Sequence, residues 1–191
     1  LPVQSHLGET VEECAWVRGL HPECDNYADV YVRHGLMPVD TPVYMAHCIH
    51  CGGPERGVLH ARGCGIVHCP NSNFTLGSGV CNVRQWVEEG HKVGMGTDVA
   101  GGYSPSMLDA IRNARVASVA VTQISGRQNS KVVQDMRLSY AQLFYLATLG
   151  GAVVVGMEDT IGNFATGKDL DALVVDTSVE GSPTTTYAHD E

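Results

Sequence analysis

Short apolar runs alternate along this chain with longer stretches whose apolar residues recur at helical spacing. The first run, residues 1–6, reads as a strand. Thr10-Val11-Glu12-Glu13 has the form of a capping box, and the helix it opens should run to about Gly19. Residues 20–41 are loop-rich, punctuated by Pro22, Pro38 and then Pro42, with a short helix around 27–34. A second strand is expected over 42–47 and a short helix over 54–62, stopped by Gly63. Residues 65–68 read as the third strand, 69–73 as a turn-rich stretch, and 79–89 as a helix ending at Gly90. The fourth strand, 92–96, is short and glycine-rich and runs into the loop Thr97-Asp98-Val99-Ala100-Gly101-Gly102.

Beyond it, residues 106–124 place Met107, Ile111, Ala114, Val119 and Val121 on or near one helical face. Ser139 with Gln142 caps another helix through about Leu149. Residues 152–155 fit a helix end or a strand equally well, and a turn over 165–168 precedes a strand over 172–175. Four strand–helix units in regular alternation are the mark of an α/β fold with a parallel sheet and crossover helices. A doubly wound sheet and half of an eight-stranded barrel both fit. No G-x-G-x-x-G opens the first helix, so a dinucleotide-binding reading has no support.

Composition narrows the class. At 191 residues, 43% hydrophobic and 17% charged, the chain is globular and the length of one domain. A net charge of −9 argues against general binding to nucleic-acid phosphates. No apolar run spans a bilayer and no signal peptide is visible, so no membrane partner is expected. Seven cysteines, an odd number, suit free thiols in a reducing compartment, and the cytoplasm is the expected location. The chain opens on Leu1-Pro2-Val3 and ends in a polar tail, which reads as a piece of a longer protein.

The expected strand ends carry functional side chains: His6, His47, His68 and Asp98. Asp98 alone could be a turn cap. Three histidines and an aspartate at four successive strand ends instead point to a site, because the carboxyl ends of parallel barrel strands gather on one face. Imidazole nitrogens with a carboxylate oxygen suit Zn²⁺, and iron also. Glu9, three residues beyond His6, either favours the first helix's N-terminus or serves as a general acid/base beside the metal. Cys48-Ile49-His50-Cys51 is a C-x-x-C, but Cys64 and Cys69 are spaced too widely for the second half of a zinc ribbon. Gly52-Gly53-Pro54 separates the pair from the following helix, against a thioredoxin-like role. The H-x-E and P-C-x-x-C pair of the cytidine deaminases is absent.

Gln4-Ser5-His6-Leu7-Gly8-Glu9, Met45-Ala46-His47, His68-Cys69-Pro70-Asn71-Ser72-Asn73 and the run from Gly96 to Arg112 occur in the order of the amidohydrolase-superfamily deaminases. The last of these, with Leu146-Ala147-Thr148-Leu149-Gly150-Gly151 and Ile161-Gly162-Asn163-Phe164, resembles the guanine deaminase family specifically. The resemblance implies the C-terminal half of a (β/α)₈ barrel over residues 1–155 and the beginning of a small C-terminal β segment over 156–191. It implies a single zinc ion and hydrolysis of guanine to xanthine and ammonia. His6 and Asp98 are then metal ligands, with Asp98 also a base, Glu9 a proton shuttle and His47 a group beside the attacking water. These same four residues would contact the purine, while His68 belongs to the shared motif without being assigned as a ligand. Two further ligands, from an H-x-H that this sequence lacks, would lie outside the chain, so the isolated piece is expected to be inactive and to associate through exposed strand edges. A homodimer is expected for the full-length protein. The alternatives are another amidohydrolase, such as a chlorohydrolase or an adenosine- or cytosine-type deaminase, or a truncated, non-catalytic interaction form.

Overall fold

Four short strands pair in parallel and in chain order: β1 (Val3–Leu7), β2 (Val43–His47), β3 (Gly65–His68) and β4 (Val93–Met95). The structure, a computed structural model, describes residues 1–128, 135–176 and 179. The order β1-β2-β3-β4 never reverses, which is the progression of a barrel wall; a doubly wound sheet changes direction part-way. In register, Leu7 lies opposite His47 and His68 opposite Met95, so the carboxyl ends of neighbouring strands are level. β1 and β4 are the edges of this sheet among the described residues.

Helices fill the connections. α1 (Val11–Leu20) starts as the sequence predicts: Glu13 N–H donates to Thr10 Oγ1 at 3.0 Å and Thr10 N–H to Glu13 Oε2 at 3.2 Å. α2 (Tyr27–Arg33) is capped by Asn26, α3 (Gly53–Ala61) has Pro54 in its first turn, and α5 (Val83–Glu88) is capped by Asn82. α6 (Met107–Gln128), α7 (Tyr140–Ala147) and α8 (Leu149–Val155) follow the sheet, and α8 lies against β3 and β4. That approach needs Gly94, where a Cβ would stand 3.1 Å from Gly151 Cα and 3.2 Å from Val154 Cγ2. Leu7, Met45, Leu59, Ile66 and Leu143 are fully buried and form the centre of the core. No described helix is long and apolar enough to cross a membrane.

Three local expectations are corrected and one open reading is resolved. Residues 69–73 are not simply a turn: α4 (Pro70–Thr75) forms there, because proline fits the first helical turn, where its missing N–H is not needed. The helix expected over 79–89 begins only at Val83, after the capping Asn82. Residues 152–155, open between two readings, are the end of α8, closed by Gly156 in the left-handed region. Residues 172–175 are not a strand. Leu173 and Val174 are almost wholly exposed and no described strand lies beside them, and a β conformation is held by its ladder. Of the C-terminal β segment expected over 156–191, residues 177, 178 and 180–191 lie outside the described part.

Candidate active site

Glu9, His47 and Asp98 meet at the carboxyl end of the sheet. His47 is the last residue of β2 and its ring is completely buried. Its Nδ1–H donates to Asn73 Oδ1 at 2.9 Å, which leaves Nε2 as the free position. Nε2 has no hydrogen-bond partner although it is buried, and it stands 3.7 Å from Glu9 Oε2 and 3.8 Å from Asp98 Oδ2. A buried polar atom left unpaired is costly. This one faces two carboxylates across a gap too long for direct hydrogen bonding.

His6 joins from β1. Its ring meets that of His47 edge-on, centroids 4.8 Å apart, and its Nδ1 is 3.9 Å from Glu9 Oε2. Ligand atoms of His6, Glu9 and His47 all lie within 4.8 Å of one another, and Asp98 is brought in through His47. The end of β1 is tied down from outside by Tyr31 of α2, whose hydroxyl donates to the His6 carbonyl at 2.7 Å and lies 2.8 Å from Ser5 Oγ. Glu9 is held at its other oxygen, where Ser78 Oγ donates to Oε1 at 2.9 Å.

The backbone around these groups is unusual. His47, Cys48 and Asp98 have φ of +69°, +47° and +48°. Non-glycine residues in this left-handed region carry strain of roughly 1–3 kcal/mol each, and such residues cluster at functional sites. Asp98 is further fixed by Gly102 N–H, which donates to its carbonyl. A Cβ at position 102 would stand 2.4 Å from Thr97 O and 3.0 Å from Asn71 Cβ, so Gly102 lets the loop fold back over α4. Gly102→Ala is therefore expected to destabilise the chain by about 1–3 kcal/mol, read as a lower urea midpoint. An unchanged midpoint would mean that the loop has room to spare.

His68, the fourth strand-end residue, behaves differently. It is buried and both ring nitrogens lack partners. Burial, and then the nearby His47, push its pKa down to about 3, so the ring is neutral. It sits beside the cluster but in none of its close charge pairs or ligand groups. Two residues to which the sequence reading assigned no role complete the arrangement. Asn73 fixes the tautomer and plane of His47, and Ser78 orients Glu9. Asn73 belongs to the polar row Asn71-Ser72-Asn73, whose members are all buried on α4. Three consecutive buried polar side chains beside a strand-end histidine were the available signal.

The donor set is nitrogen and carboxylate oxygen, the partners of a borderline divalent cation. The orphaned Nε2 of His47 and the two converging carboxylates fit such an ion with a water beside it. The Cys48–Cys51 pair takes no part in this group, and all seven cysteines are free thiols.

Residues 1–190 match the amidohydrolase family. Over 180 residues the chain is 45% identical to a probable guanine deaminase of Schizosaccharomyces pombe, which covers 94% of this chain and 33% of that protein. A crystal structure of guanine deaminase from C. acetobutylicum, with guanine bound in the active site, aligns with a TM-score of 0.79 at 39% identity over 88% of this chain and 38% of the other. An adenosine deaminase from Xanthomonas campestris with bound zinc aligns with a TM-score of 0.80 at 27% identity, over 100% of this chain and 40% of the other. The chain spans roughly a third to two fifths of the length of these relatives.

Proposed function

The chain belongs to the amidohydrolase family, its sheet and helices forming part of an α/β barrel, and from that premise we propose that the protein carrying it hydrolyses guanine to xanthine and ammonia. The observation that carries the reading is the convergence of Glu9 and Asp98 on the free Nε2 of the buried His47. The likeness to guanine deaminases, one of them holding guanine in its active site, chooses the substrate.

In this reading His6 and Asp98 hold a zinc ion, completed by ligands from outside this chain. When bound, the ion supplies Lewis-acid activation of water at neutral pH. The residues of the chain do the rest. Asp98 takes a proton from the attacking water as oxygen adds to C2 of guanine. Glu9, oriented by Ser78, carries a proton to the adjacent ring nitrogen and then to the departing amine. His47, steered by Asn73, turns Nε2 toward the reacting oxygen and orients it by hydrogen bonding. The C2–N bond breaks, ammonia leaves, and the oxygen of water remains on C2. Near-complete burial of His47 and His68 excludes bulk water from the inner side of the site.

The full-length protein is expected to release ammonia from guanine well ahead of adenine, cytosine and chlorinated triazines, measured by coupled ammonia detection. Equal or faster release from another member of that panel would move the assignment to a different amidohydrolase. The free thiols support a reducing compartment.

A further inference from the structure

The link between α1 and α2, outside the catalytic cluster, brings together three side chains of a different donor chemistry. His21 ends α1, and Glu23 and Cys24 follow within the same turn, which is closed by Cys24 N–H donating to the His21 carbonyl at 3.1 Å. His21 Nδ1 lies 3.4 Å from Glu23 Oε1, and Cys24 Sγ lies 3.8 Å from the same oxygen. One ligand atom from each of the three falls within 4.8 Å of the others. His34, just past the end of α2, presents its ring edge-on to His21 with centroids 5.7 Å apart.

The two spacings to Glu23 are compatible with a tetrahedral ion. With metal–nitrogen and metal–oxygen bonds of about 2.0–2.1 Å and metal–sulfur of about 2.3 Å, neighbouring ligand atoms stand roughly 3.3–3.8 Å apart. The 3.4 Å from His21 to Glu23 and the 3.8 Å from Cys24 to Glu23 fall in that range, and the His21–Cys24 pair lies within 4.8 Å. A thiol with an imidazole selects a soft or borderline cation over magnesium or calcium. Pro22 stiffens the turn between the first two ligands. The group also borders a cleft of about 250 Å³ shared with Cys14, Tyr27 and Glu55, which gives an ion a way in.

We propose that His21, Glu23 and Cys24 form a second metal site that takes a zinc-like divalent cation, with His34 as the fourth ligand after a rotation of its ring. An ion there clips the end of α1 to the end of α2. Since α2 carries Tyr31, which donates to the His6 carbonyl, the clip braces the segment that seats the end of β1. The thiolate is the ligand form of cysteine, so binding displaces a proton and strengthens as pH rises. The other charges around the thiol, Asp29 and Arg33, are paired with each other at 2.7 Å.

Cobalt(II) titration of the metal-free full-length protein tests this independently of the proposed activity, because the catalytic donors of this chain include no sulfur. The expected result is a thiolate-to-cobalt charge-transfer absorption with the amplitude of one thiolate-bound ion, complete by two equivalents because the catalytic donors also take cobalt without contributing to the band. It should be lost in Cys24→Ser, retained in Cys51→Ser, and shifted to weaker affinity by about tenfold or more in His21→Ala. His34→Asn should also weaken it. Absence of the band in the parent, or its survival in Cys24→Ser, overturns the proposal. Circular dichroism of each variant, expected to match the parent because the turn is at the surface, separates lost binding from lost folding.

Discussion

Glu9→Gln is expected to lower guanine turnover by the full-length protein by about 10²–10⁴-fold, the range that a positioned general acid/base contributes, while leaving zinc content near that of the parent. Glutamine keeps the shape of the side chain, and its amide oxygen can still accept from Ser78 Oγ, the contact that now holds Oε1. What it cannot do is carry a proton between water, ring nitrogen and leaving amine. Asp98→Asn should behave differently, losing metal and activity together, because position 98 is assigned both the ion and the first proton. Metal analysis alongside single-turnover kinetics distinguishes the two. Activity within a few-fold of the parent in Glu9→Gln would remove Glu9 from the mechanism, and full zinc occupancy in Asp98→Asn would remove Asp98 from the ligands.

Acid should unfold this chain earlier than its carboxylates alone would require, and His68 should be the main reason. In the unfolded chain His68 takes up a proton near its ordinary pKa of 6.5, whereas in the fold burial and the neighbouring His47 hold the pKa at about 3. Above pH 6.5 the ring is neutral in both states and the contribution is fully present. As pH falls from 6.5 toward 3 the unfolded state gains a proton that the folded state refuses, and stability is lost progressively. The whole interval corresponds to about 4–5 kcal/mol, of which about 2–3 kcal/mol falls between pH 6.5 and 4.5, before most carboxylates titrate. His91, whose pKa burial and then His60 lower, adds in the same direction. Urea unfolding across that window should show a steep slope in the parent and a clearly flatter one in His68→Gln. Equal slopes in the two proteins would mean that His68 is solvated or hydrogen-bonded in the folded state.

The parts of this fold that depend on neighbours in sequence were legible in the sequence. The capping boxes at Thr10 and Ser139 lie within three residues, and both form. The four strands announce themselves as apolar runs closed by turn residues, and their parallel order follows from the helices between them. The convergence of His6, His47 and Asp98 follows in turn from level strand ends. What was hidden depends on distance in space. Asn73 meets His47 from 26 residues away and Ser78 meets Glu9 from 69. Neither has a periodicity or motif that names its partner. His68 shows the opposite failing: its position at a strand end was clear, but whether its ring joins the cluster or packs beside it is decided by side-chain packing. At residues 172–175 composition favoured a strand, yet composition cannot provide the neighbour that a ladder needs.

The left-handed backbone at His47 and Asp98 bears on how this site can be dissected. Histidine, aspartate and asparagine tolerate that region better than other side chains, and β-branched residues hardly at all. Each of the two positions therefore couples two demands, one chemical and one conformational, in a single residue. An alanine scan at 47 and 98 would merge a lost functional group with relaxation of a turn that aims its neighbours. Asparagine at either position removes the chemistry and keeps the turn, so the difference in stability between the asparagine and alanine variants measures the cost of the backbone shape alone.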